Sequence, residues 1–199
     1  SMYLDNSIAV GQTYEYKLLK SGSTQAYGYI NTSIKLGAID NRGVIIIVVE
    51  NTYVGNTAFD NAIDLTLQNI ENDGWIVKRL DVNVSDDVTA VKNSIVNIYN
   101  EDPGVTKALY LIGHVPVPYS GLLNPDGHPD HLGAWPTDNY YADIDGNWTD
   151  VSVNDNTSAS SPRNHNVPGD GKFDQSINPS TLELQVGRID FANLSTFSE

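Results

Sequence analysis

His114 ends a short apolar run, Ala108-Leu109-Tyr110-Leu111-Ile112-Gly113, and imidazole is the side chain most often used for proton transfer. The run reads as a buried strand, and in open α/β sheets ligands bind at the carboxyl ends of the strands. Two readings of His114 stand side by side: a general base or substrate contact, or a strand-end residue that ties down the loop after it. Nothing near it in sequence completes a triad, and Ser120 lacks the Gly-x-Ser-x-Gly setting of a nucleophile elbow. Asp138 and Arg188 are the other substrate-side candidates, opposite charges that either pair as a structural bridge or line a pocket. Arg188 closes the run Leu182 to Arg188, which reads as a strand reaching the same carboxyl edge as His114.

A second kind of chemistry lies between these residues. In Asp143-Ile144-Asp145-Gly146-Asn147-Trp148-Thr149-Asp150, oxygen-bearing side chains at alternate positions around a glycine provide the donors and the bend that calcium requires. The full EF-hand spacing is missing, so the same run also reads as an Asx-rich turn satisfied by its own backbone. Asp170-Gly171-Lys172-Phe173-Asp174 resembles the later part of dockerin-type calcium loops, which implies Asp170, a carbonyl near Lys172, and Asp174 as ligands, with Lys172 pointing outward. Two such loops in one acidic stretch make calcium the expected ion, with Asp143, Asp145, Asn147, Asp150, Asp170 and Asp174 as its ligands. Zinc is not expected. His128 and His131 could ligate it with Asp126 or Asp130, but their spacing around Pro129 is not helical, and hydrogen bonding within the loop is favoured. His165 is read as a loop residue.

The composition narrows the function classes. The chain has 199 residues, a formal net charge of −14 and no cysteine. Phosphate-rich and anionic surfaces need Lys and Arg for neutralisation, so neither nucleic acid nor membrane is an expected partner. Without cysteine these residues hold no disulfide, thiolate metal site or cysteine nucleophile. No run is long and apolar enough to cross a bilayer as a helix. Glu50-Asn51-Thr52-Tyr53-Val54-Gly55-Asn56, after the first main strand, has neither the Rossmann spacing nor a Walker lysine, which argues against nucleotide binding.

The elements that would position these residues follow from periodicity. Residues Ile8 to Ile34 alternate as a β-hairpin around Ser21-Gly22-Ser23, and Gly37 to Gly43 reads as a linker. Val44 to Val49 is a continuous β-branched run, the mark of a strand covered on both faces in a parallel sheet. A helix is expected over Thr57 to Asn72, stopped by Asp73-Gly74, then a strand from Trp75 to Leu80. Asp86-Asp87 would cap a helix through Tyr99, and Thr106 to Ile112 would be the next strand. This alternation implies a three-layer, doubly wound α/β domain with a mostly parallel sheet. Two divisions result: 1–42, a hairpin plus linker, and 43–199, the α/β part with a long Asp/Asn/Gly-rich loop over 114–180. Such a loop is longer than a normal connection and is expected to be functional or held by a ligand. A further helix is expected from Asn193. Ser1-Met2 reads as a cloning remnant and the chain as a piece of something larger.

In order, Leu111-Ile112-Gly113, the loop with Thr137-Asp138-Asn139-Tyr140-Tyr141-Ala142-Asp143 and Asp145-Gly146, and Val186-Gly187-Arg188 resemble the first half of the catalytic domain of gingipain-type cysteine peptidases. Gly74-Trp75 before the second strand is similar too, and the likeness spans Gly43 to Glu199. It implies a caspase-like fold of two subdomains, with the catalytic His and Cys both on the second. No catalytic residue can therefore be carried onto this chain. Gly113-His114 stands where the family commonly has Gly-Asp. Ile8, Gly11 and Tyr14 resemble the tyrosine corner of a fibronectin type III-like module. Together the two resemblances imply a secreted or surface-attached bacterial protein.

The expected function is the non-nucleophilic first subdomain of such a peptidase, inactive alone, lining a peptide cleft and binding calcium. Its expected partners are the second catalytic subdomain and a peptide or protein substrate. The alternative is a catalytically dead surface module that recognises glycan or peptide through the loop. Trp135, Trp148, Tyr140 and Tyr141 could stack on sugars there, or fill the core of the loop. A third possibility is a metal-dependent hydrolase using His114, His128 and His131.

Overall fold

The computed structural model describes residues 4–34, 41–121, 128, 130–155, 161–194 and 196. The chain divides into two compact units, Ser1–Arg42 and Gly43–Glu199.

The first unit holds an antiparallel hairpin of β1 (Thr13–Lys20) and β2 (Ala26–Ser33), in register from Thr13 opposite Ser33 to Lys20 opposite Ala26. The Tyr14 hydroxyl accepts a hydrogen bond from the Ala9 backbone N–H at 2.7 Å. The Tyr16 hydroxyl donates to Asp5 at 2.9 Å, so both tyrosines fasten the strand to the segment before it. Leu18, Leu19, Tyr27, Tyr29 and Ile30 are exposed.

The second unit is built on a parallel sheet of order β4-β3-β5-β8. Its strands are β3 (Gly43–Glu50), β4 (Trp75–Val82), β5 (Thr106–Ile112) and β8 (Gln185–Ile189). Helix α1 (Thr57–Asn72) connects β3 to β4, and α2 (Val88–Glu101) connects β4 to β5. Asn56 and Asp87 cap the two helices through their side chains, satisfying amide groups that a helix start leaves without partners. β3 is central, and it is apolar from Val44 to Val49 because both of its faces are covered. Ile47 and Val49 pack with Ile63 of α1 on one side. Ile46 and Val48 pack on the other with Val91 and Ile95 of α2 and with Leu109 and Leu111 of β5. The result is a mixed α/β domain with helices flanking a parallel sheet.

The long loop contributes to this second core. Among its described residues regular structure is brief: β6 (Tyr119–Ser120) pairs with β7 (Trp135–Pro136), α3 (Asn139–Ala142) is a single turn, and Pro162–Asn164 is a 3-10 turn. Tyr140, Tyr141 and Phe173 are buried against α2 and the sheet, with Tyr140 and Phe173 stacked at 4.2 Å between ring centroids. Two expectations need correction. The last strand begins at Gln185, not Leu182, because the Glu183 and Leu184 N–H groups donate to the Ala142 carbonyl (both 3.2 Å) before the chain joins β5. Ala192 and Asn193 form a turn closed by Leu194 N–H to Phe191 O at 3.0 Å, and no helix starts there among the described residues.

Candidate functional site

At the carboxyl edge of the sheet, β5 must stop and turn beside its neighbours. Gly113 does so with φ +83°, and a side chain there would be strained and would bring its Cβ to 3.1 Å from Glu50. Its N–H continues the ladder to the Ile189 carbonyl at 2.9 Å. In-register pairing of Ile112 with Ile189 then sets the next residues of both strands side by side. His114 Nδ1 lies 2.8 Å from Asp190 Oδ2, and both side chains are partly buried. Burial raises the Asp190 carboxyl, but the Ala192 N–H, the bond and charge of His114, and the charge of Arg188 outweigh it and hold the group below its ordinary value. A carboxylate that fixes Nδ1 orients the ring and, where Nδ1 carries the proton, leaves Nε2 as an acceptor. Asp190 escapes a reading by sequence distance; the only signal for it is the register of the last strand against β5.

Arg188 alternates with Asp190 along the same strand end. Its Nε and Nη2 reach Asp138 at 3.0 and 2.8 Å, and Nη1 donates to the Val115 carbonyl at 2.6 Å. The fork thus joins β8, the start of the long loop, and the residue before α3. Asp138 and Arg188 are brought together as an ion pair, with His114 joined to them through Asp190, whose Oδ2 is 3.9 Å from Arg188 Nη1.

The second candidate region lies where α3 ends. The carboxyl groups of Asp143, Asp145 and Glu183 converge, with one oxygen from each within 4.8 Å of the others, the one such acidic or histidine group among the described residues. Asp143 is buried and accepts from Gly146 N–H at 2.9 Å, from Trp148 Nε1 at 3.1 Å and from the Ser180 hydroxyl. The backbone at Gly146 lies so close to that carboxylate that a Cβ would overlap it. Glu183 accepts from Ile144 N–H at 2.6 Å, and Asp145 lies 2.9 Å from the Ser180 hydroxyl, whose single proton it shares with Asp143. Each of these bonds takes one lone pair, so Asp145 and Glu183 each retain a further carboxylate oxygen for a cation. Three carboxylates in contact fit a hard cation by donor type. Lys92 of α2, itself buried, approaches from below, donating to the Tyr140 carbonyl at 2.5 Å and to the Asp143 carbonyl. Burial lowers its pKa to about 8, against Asp143, Glu183 and Asp145, which raise it.

The remaining metal candidates do not join this group. Asn147 is exposed. Asp150 accepts from the Gly169 and Gly171 N–H groups at 2.8 Å each, closing one loop on the other. Asp170 accepts from Val167 N–H and Lys172 N–H. Lys172 does not point outward: its ammonium folds back to Asp170 at 3.1 Å and to the His165 carbonyl. Asp174 is buried and receives the Thr149 hydroxyl at 2.8 Å and Val151 N–H at 3.0 Å. These carboxylates collect backbone donors that the irregular chain would otherwise leave without partners. The rings of His128 and His131 lie 5.0 Å apart and His131 is 5.3 Å from Trp135; Asp126 lies outside the described residues. The histidine-based hydrolase is not assembled, since no group among the described residues unites His114 with His128 and His131.

A helix-flanked parallel sheet whose carboxyl edge carries an oriented histidine, and whose third strand launches a long acidic loop, is an α/β domain of the caspase-like type. The sequence matches the model of Peptidase family C25 over residues 40–199, and the chain belongs to that family of gingipain-type cysteine peptidases. Comparison with curated proteins and with solved structures gives no match.

Proposed function

We propose that residues 43–199 are the non-nucleophilic subdomain of a secreted or surface-attached gingipain-like cysteine peptidase, forming one wall of its peptide cleft and inactive alone. The observation that carries this reading is membership of Peptidase family C25 across residues 40–199 in a chain that contains no cysteine. Cysteine peptidase chemistry needs a thiolate activated by a base, so the nucleophile belongs to a second catalytic subdomain, and that subdomain is the principal partner. The substrate is a peptide or protein. At the carboxyl edge, the Arg188 donors are committed to Asp138, Val115 and Pro116, which fits a role in fixing the wall. His114, with Nδ1 engaged by Asp190, has its other ring nitrogen to offer as an acceptor to a substrate N–H.

Calcium is the ion we assign to Asp143, Asp145 and Glu183. The all-oxygen donor set supports it, and the ion would hold the end of α3 against the residues leading into β8. The hairpin of the first unit is read as the end of a fibronectin type III-like module, supported by the Tyr14 hydroxyl bond to the backbone of Ala9.

The test compares this 199-residue chain with a longer form that joins it to the proposed second catalytic subdomain, on a fluorogenic peptide library. Cleavage by the longer form alone, stopped by thiol alkylation, is the expected result. Turnover by the shorter chain, or cleavage indifferent to alkylation, would overturn the assignment.

A further inference from the structure

Beside α3, within the long loop, is a cavity of about 330 Å³, the small end of the range for ligand pockets. None of its described lining residues is Asp, Glu, Lys or Arg, although the chain carries a net charge of −14. His131 is the one acidic or basic side chain in the described lining, so a cation would be desolvated there with no counter-charge and an anion with at most one. The ligand that fits is neutral.

The walls specify more than neutrality. Trp135 and Trp148 both line the cavity. Trp148 is locked, its ring edge-on to Tyr140 (5.5 Å, 89°) and its Nε1 bonded to Asp143 at 3.1 Å. Trp135 is carried on β7, paired through Ser120 to β6. Trp148 is a preformed apolar wall on which a ligand settles with little loss of side-chain entropy, and Trp135 adds a second indole, whose buried Nε1 has no hydrogen-bond partner among the described residues. On the polar side, Asn139 Nδ2 donates to Asn178 Oδ1 at 3.2 Å. That bond leaves Asn139 Oδ1 and Asn178 Nδ2 uncommitted among the described residues, an acceptor and a donor next to one another. Each hydroxyl of a sugar both donates and accepts, so a vicinal pair matches this arrangement. Ile177, at 84 % exposure, holds an apolar side chain in water beside the cavity.

We propose that this cavity binds the end of a neutral glycan, one ring packed on the tryptophans and its hydroxyls exchanging hydrogen bonds with the Asn139–Asn178 pair. A neutral peptide is the competing occupant. A peptide that adds as a strand needs a backbone ladder along a sheet edge, and the β6–β7 ribbon beside the cavity has only two residues in each strand. The side-chain amides, not a strand edge, supply the hydrogen bonds here, which favours the sugar.

The test is saturation-transfer NMR on the whole chain with methyl glycosides of glucose, galactose, mannose and N-acetylglucosamine, and with acetyl-trialanine amide as the peptide probe. Transfer from at least one glycoside is expected. Ile177→Asp and Asn178→Ala should each weaken that binding about tenfold, and Ile177→Asp should do so without changing the thermal unfolding of the chain, since its side chain is exposed. Transfer from no glycoside overturns the proposal, as does glycoside binding that both variants leave intact. Transfer from the peptide probe alone reassigns the cavity to peptide. None of these outcomes depends on peptidase activity, so they separate this proposal from the cleft assignment.

Discussion

Arg188 grips Asp138 with two nitrogens, Nη2 at 2.8 Å and Nε at 3.0 Å, while its third nitrogen holds the Val115 carbonyl at 2.6 Å. One planar cation therefore fastens the end of β8, the exit of β5 and the entry to α3. Lysine is a compact point charge without the planar fork, so it cannot keep the two parallel bonds to Asp138 while it reaches the carbonyl. Arg188→Lys should cost about 2 kcal/mol in urea unfolding, because the bidentate bond is lost in a partly buried setting. A change within about 0.5 kcal/mol, the scatter of surface substitutions, would show that the fork is ornamental to stability.

Asp174 tests how the second loop is held. Its carboxylate receives Thr149 Oγ1, Val151 N–H and, at 3.3 Å, Ser152 N–H. Burial raises its pKa, but the bonds from Val151, Thr149 and Ser152 outweigh that and lower it. A group whose folded pKa is depressed contributes stability above its unfolded value, about 3.9 for Asp, and loses it as pH falls through the folded value. Asp174→Asn turns one acceptor oxygen into an opposing NH₂ and should cost about 2 to 3 kcal/mol at neutral pH. The deficit should shrink below roughly pH 4. Equal deficits at neutral and acid pH in urea titrations would rule out the carboxylate charge as the cause.

Calcium bound at Asp143, Asp145 and Glu183 should stabilise the fold by mass action. At a hundredfold excess over Kd the gain is about 2.7 kcal/mol. Glu183→Gln keeps an oxygen for the Ile144 N–H while removing a charged ligand, so it should weaken the calcium response without lowering stability in chelator. Differential scanning calorimetry with calcium and with EGTA makes the comparison. Identical melting in both for the native chain would remove calcium from the site.

Much of the scaffold is legible from local pattern. The unbroken apolar run of β3 marks a strand buried on both faces, and Asp87 before Val88 marks a helix start, because both signals arise within a few residues. The site is less so. Glu183 meets Asp145 only because the Ala142 carbonyl collects the N–H groups of Glu183 and Leu184. Asp190 meets His114 only through the register of β8 on β5. The same acidic composition also serves two ends: Asp145 faces other carboxylates, while Asp150 spends both oxygens on the Gly169 and Gly171 amides. Residue type cannot separate a ligand from a loop clasp when both need the same oxygen.

Lys92 supplies a pH dependence of unusual sign. It is 7 % exposed, bonded to the Tyr140 and Asp143 carbonyls, and burial brings its pKa to about 8 despite the three carboxylates that raise it. Below that pH, folded and unfolded chains both hold the proton, and the cost of burying the charge is constant. Between pH 8 and the unfolded value of about 10.4 the unfolded chain binds more protons, so this group makes stability rise with pH. Burial raises Tyr140 and Tyr141 above their ordinary value; these phenols act in the opposite direction, but only above roughly pH 10. Urea unfolding without calcium should therefore give a midpoint that climbs between pH 8 and about 10, while Lys92→Met, which keeps the length of the stem, should remove Lys92's contribution to that rise. Equal slopes for the two proteins would mean that Lys92 keeps its proton throughout, held by Asp143, Glu183 and Asp145 more strongly than burial opposes them.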